Sequence, residues 1–126
     1  MLGFSVWSGL VSYTAAVFWL SLMTPSAKVA SLIGPYDKAI HFMMYALLYF
    51  LAASAFHRSR LRAIGRLAFW AFAYAALIGA ATELLQSRVP SRSASLADWI
   101  ADSAGAAASM IFLWFHRKRL SEEGYF

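Results

Sequence analysis

Cysteine is absent from the 126 residues, and charge is scarce, with only 13% of positions Asp, Glu, Lys or Arg. The missing cysteine excludes disulfides and cysteine-ligated metals. The missing charge excludes more. A water-soluble domain carries about 25% charged and about 45–50% apolar residues, whereas 61% of this chain is hydrophobic. The surface of one 14.0 kDa chain leaves too little interior to hide that excess from water. A soluble globular enzyme and a disordered chain are both excluded. The composition defines an integral membrane protein, and the length allows a single domain, residues 1–126.

What is present is a series of long apolar runs. A bilayer core of about 30 Å needs roughly 20 apolar helical residues. No charged side chain precedes Lys28, so a first span covers residues 2–23 and stops at Thr24 and Pro25. It lacks a basic leading segment, and its apolar run exceeds the about 7–15 residues of a leader peptide, so it is expected to stay as a span. A second run, 39–56, ends at His57 and Arg58, and a third, 67–87, holds one charge, Glu83. The fourth, 98–115, opens with Asp98 and carries Asp102. The predicted fold is all-α, a four-helix transmembrane bundle with connecting loops over 24–38 and 87–97.

Basic residues orient it. Arg58, Arg60, Arg62 and Arg66 lie between spans two and three, and Arg117, Lys118 and Arg119 follow span four. The opposite side has Lys28, Lys38, Arg88 and Arg92. The richer side is expected to be cytoplasmic by the positive-inside rule, with both termini on it. Trp7, Trp70 and Trp114 fall near span ends on that side, where amphipathic rings suit the interface. A net charge of +5 is thereby a topology signal rather than a sign of nucleic-acid binding.

The acidic residues gather on the other side. Asp37, Lys38 and His41 open span two there, Glu83 and Gln86 close span three, Arg92 follows in the loop, and Asp98 and Asp102 open span four. Asp37, His41 and Tyr45 recur at i, i+4 and i+8, one stripe on a helix. Asp98, Asp102, Gly105 and Ser109 make a second stripe, with small residues that let a neighbouring helix approach and also permit a homo-oligomer. A charge within a span costs about 2.5–3.5 kcal/mol on insertion scales, so such groups turn to the bundle interior. Plainer readings stand beside this one. Asp37 and Asp98 suit the first turns of helices, Glu83 suits an ion pair with Arg88 or Arg92, and His41 and Tyr45 suit packing.

These residues carry a resemblance. Asp37-Lys38-x-x-His41-Phe42-x-x-Tyr45 resembles the D-K-x-x-H-F-x-x-Y opening of VanZ-like membrane proteins. Glu83, Gln86, Pro90 and Arg92, followed by Asp98 and Gly105, resemble the second motif of that family. Asp102 stands where many members have asparagine. The resemblance implies a small helical membrane protein of the cell envelope, and the family's namesake is linked to resistance to the glycopeptide teicoplanin.

The expected site is an outward-facing polar pocket lined by Asp37, Lys38, His41, Tyr45, Glu83, Gln86, Arg92, Asp98 and Asp102. Its expected partners are the bilayer and a lipid-linked or cell-wall precursor with an anionic head group, which arginine recognises in bidentate fashion. The expected location is the bacterial cytoplasmic membrane. Two other classes use the same residues. A membrane-embedded enzyme would act on a lipid-linked substrate, with Asp, Glu and His holding Mg²⁺ or Mn²⁺. A small transporter would use Glu83 as a proton-coupled carboxylate. The sequence contains no H-E-x-x-H, G-x-S-x-G or P-loop motif, and it specifies no cofactor.

Overall fold

In the computed structural model, residues 2–59 and 63–122 are described, with side chains over 5–59 and 63–118. Arg60 and Arg62 therefore lie outside the described residues, as does the side chain of Arg119. The elements are α1 (Leu2–Leu22), α2 (Ala27–Ile33), a 3₁₀ turn (Gly34–Tyr36), α3 (Asp37–Arg58), α4 (Ile64–Gln86) and α5 (Leu96–Glu122). Among the described residues, four segments are long and apolar enough to cross a membrane: Ser5–Leu22, Ala27–Arg58, Ile64–Gln86 and Leu96–Lys118. The 23 residues of α4 span about 35 Å at 1.5 Å per residue, enough for a bilayer core. The chain is a multi-pass membrane protein built as a four-helix bundle.

The segment expected as a loop over 24–38 is instead mostly helical. Ser26 caps α2 by accepting a hydrogen bond from the Val29 amide at 3.4 Å. Pro35 then sits in the first turn of the 3₁₀ segment, which leads straight into α3. Lys28 interrupts the uncharged run and so conceals this helix from a search for spans, although the serine cap marks its start. The other ends also shift. α4 starts at Ile64 and takes in Arg66, and α5 continues beyond residue 115. Helical hydrogen bonding does not stop where the hydrocarbon ends, so helices carry charged turns into the interface.

Packing explains the order. α3 and α4 each contact the other three long helices, and α3 lies between α1 and α5. The core is made of small and aromatic residues, including Ala52, Ala71, Ala75 and Ala106 around Tyr45, Leu48 and Tyr49. Small side chains allow close backbone approach where no water is present to drive helices together. Gly105 is the extreme case, because a Cβ there would collide with the Phe42 carbonyl of α3. Large apolar side chains such as Val11, Trp19, Leu77 and Phe112 are outside. Outward-facing bulk of this kind suits lipid, not water.

Candidate functional site

The two aspartates at the helix starts take the plainer role first. Asp37 lies in the first turn of α3 and Asp98 in the first turn of α5, opposing each helix dipole. The Ser95 hydroxyl accepts from the Asp98 amide at 3.2 Å and closes the α5 cap. Lys38 is paired with both carboxylates, with Asp37 at 3.3 Å and with Asp98 across the α3–α5 gap. This rim is partly solvated: the Lys38 side chain is 53% exposed.

One turn further in, polarity continues where packing alone would not demand it. His41 Nδ1 and Asp102 Oδ1 are hydrogen-bonded at 2.7 Å between α3 and α5. His41 Nε2 faces Asp37 Oδ1 at 3.9 Å. Asp102 is fully buried. It fits because Gly79 of α4 has no side chain, and a Cβ there would lie 3.1 Å from Asp102 Oδ2. Glu83, 7% exposed, ends α4 beside them and accepts the Ser95 backbone N–H at 2.6 Å through Oε2. His41, Glu83 and Asp102 each bring one ligand-type atom to within 4.8 Å of the others. Glu83 Oε1 and Asp102 Oδ2 are both buried without a hydrogen-bond partner.

Three residues of the expected site go elsewhere. Arg92 does not cover the carboxylates. Its guanidinium donates to the Met23 carbonyl at 3.0 Å and to the Leu20 carbonyl at 3.4 Å. The last carbonyls of α1 have no intrahelical partners and form the negative end of its dipole, so a guanidinium is drawn there. No Glu83–arginine ion pair occurs among the described residues; the amide of Ser95 takes that place. Gln86 donates to the Ser21 carbonyl at 2.9 Å and joins α4 to α1. Tyr45 is buried beneath the cluster, 2.9 Å from the Thr82 hydroxyl. Because Thr82 donates to the Gly79 carbonyl, Tyr45 is the donor to Thr82.

Sequence reasoning passed over Thr82 and Trp99, whose indole donates to the Ala76 carbonyl at 3.1 Å, whereas Ser95 reads from the sequence as a cap residue and is one. A serine three residues before Asp98 is a recognisable cap signal. Nothing in the sequence marks Thr82 or Trp99, because their partners are chosen by helix docking.

A membrane bundle with a partly buried histidine and two buried carboxylates between three helices near one end defines a class: small multi-pass proteins with an intramembrane polar centre. The chain belongs to the VanZ/LLP1 family, whose sequence pattern it matches over residues 4–117. The family resemblance drawn from Asp37–Tyr45 and Glu83–Gly105 is thereby met. No curated protein and no solved structure matches the chain.

Proposed function

We propose that this protein sits in the bacterial cytoplasmic membrane with both termini inside, and that its acidic end receives the anionic head group of a lipid-linked or cell-wall-related molecule from outside. The observation that carries this reading is the His41–Asp102 pair with Glu83 alongside, two buried carboxylates and a partly buried histidine within a membrane bundle. Such groups are expensive in a span and mark functional sites by default. The orientation rests on the excess of arginine and lysine near the opposite end.

A phosphate or carboxylate would compete with Asp37 and Asp98 for Lys38 and would meet the exposed Arg88 just after α4. The carboxylates accept hydrogen bonds from the hydroxyl and amide groups that wall-precursor head groups carry. Because the resemblance to VanZ-like proteins carries a link between their namesake and teicoplanin resistance, glycopeptide tolerance is the physiological readout to test. The test uses purified protein in nanodiscs titrated with a polyprenyl diphosphate carrying a saccharide head. Saturable binding that falls in Lys38→Ala and Asp102→Asn supports the reading, and equal binding by all three proteins rejects it. Teicoplanin tolerance of a susceptible host expressing the same proteins should follow the same order.

A second reading has its own observation. A buried aspartate holding a histidine ring is the arrangement that orients a general base. An enzyme acting on the same lipid-linked substrate would show turnover that His41→Gln abolishes without abolishing binding.

A further inference from the structure

We infer that His41, Glu83 and Asp102 form a divalent-cation site of the Zn²⁺ or Mn²⁺ class inside the bundle. The three residues come from α3, α4 and α5, and their ligand-type atoms lie within 4.8 Å of one another. Donors about 2.0–2.2 Å from one ion lie at most about 4.4 Å apart, so side-chain torsions alone close the shell.

The second observation is the pair of unsatisfied oxygens. Glu83 is 7% exposed and Asp102 fully buried, yet Glu83 Oε1 and Asp102 Oδ2 have no hydrogen-bond partner. Buried carboxylate oxygens of this kind are strongly disfavoured unless a proton or a cation meets them. Among the described residues, no lysine or arginine nitrogen lies within salt-bridge distance of either carboxylate. Lys38 is held by Asp37 and Asp98, and Arg92 by the carbonyls of α1. Among the described residues, His41 is the one basic side chain paired with Asp102.

The donor set selects the metal. One imidazole nitrogen with two carboxylates is too nitrogen-rich for Ca²⁺ and, without cysteine, too hard for Cu⁺. Zn²⁺ and Mn²⁺ accept this mixture and leave coordination positions for an outside ligand. Binding would exchange the His41–Asp102 hydrogen bond for two metal bonds. Asp37, His41 and Asp98 form an outer trio of similar spread, but Lys38 already pairs with both of its aspartates. The inner trio is the one without a neutralising lysine. A cation there would also reverse the repulsion that two carboxylates exert on an anionic head group; this last role rests on the reading proposed above.

The test is metal alone. Full-length protein in detergent micelles, stripped with chelator, is titrated with Zn²⁺ or Mn²⁺ by calorimetry, with Mg²⁺ as comparison. One Zn²⁺ or Mn²⁺ per chain, bound more tightly than Mg²⁺, is expected. Asp102→Asn and Glu83→Gln should each weaken it by more than about 10-fold, the loss typical even of groups that only orient a ligand. Asp98→Asn, in the outer trio and paired with Lys38, should leave it within a few-fold. Pulsed electron-spin spectra of Mn²⁺ on the unaltered protein should show coupling to one imidazole nitrogen, which decides the matter if a variant fails to fold. No stoichiometric binding, binding indifferent to Asp102 and Glu83, loss with Asp98→Asn instead, or Mn²⁺ without nitrogen coupling overturns the site. Metal binding without head-group binding would remove only the function proposed above; the reverse would remove only the cation.

Discussion

Gly105 of α5 rests against the Phe42 carbonyl of α3, so closely that a Cβ at Gly105 would collide with it. This contact lies one turn from Asp102 on α5 and at the residue next to His41 on α3, and it sets how near those two side chains come. Helix–helix distance and site geometry are thus the same quantity here. In a bilayer, close packing rather than water release holds such helices together.

Gly105→Ala should therefore separate α3 from α5. The obstructing atoms are backbone and cannot rotate away, so the loss should reach at least the about 1–3 kcal/mol of an overpacked core. Thermal unfolding in micelles would show it as a lower midpoint. Gly9→Ala, at a position with nothing within 4 Å, is the control and should not lower the midpoint. Equal midpoints for the two variants would refute the packing account.

Breaking the His41–Asp102 pair from either side should have unequal results. His41→Ala leaves a fully buried carboxylate without its hydrogen bond and should destabilise by up to about 3–5 kcal/mol. Asp102→Asn keeps the shape and one hydrogen bond to the ring, and should cost about 1 kcal/mol or less. Denaturation of the two variants in the same detergent settles the order. A more damaging Asp102→Asn would contradict it.

Arg92→Ala should loosen the end of α1 and spare the buried trio. Two hydrogen bonds from a half-buried guanidinium to carbonyls are worth about 1–2 kcal/mol here after allowance for solvent. Fluorescence from a probe on Met23→Cys should become more mobile in the Arg92→Ala background, while metal affinity stays unchanged. Changed affinity with an immobile probe would return Arg92 to the carboxylates.

The absence of native cysteine makes topology directly testable. Ser91 and Ser59 are both exposed, at opposite ends of the bundle. In intact cells an impermeant thiol reagent should label Ser91→Cys and not Ser59→Cys. The reverse labelling would turn the acidic end to the cytoplasm.

The sequence by itself determined the class, the four spans and the faces on which polar residues lie. Hydropathy is a property of each segment, and a bilayer reads it residue by residue, so spans need no tertiary information. Asp37, His41 and Tyr45 fall on one stripe because helical periodicity is local. Their partners were decided only by tertiary structure. A stripe faces some neighbour, but its identity and depth depend on how α3, α4 and α5 dock. Docking brought Asp102 to His41 and Tyr45 to Thr82. It also gave Arg92 to α1 rather than to Glu83, since unpaired helix-end carbonyls and a free backbone amide competed for the same groups. The glycines at 79 and 105 were legible as small residues, yet their consequence, a buried carboxylate pressed between helix backbones, is set by the distance between α4, α5 and α3. Only packing fixes that distance.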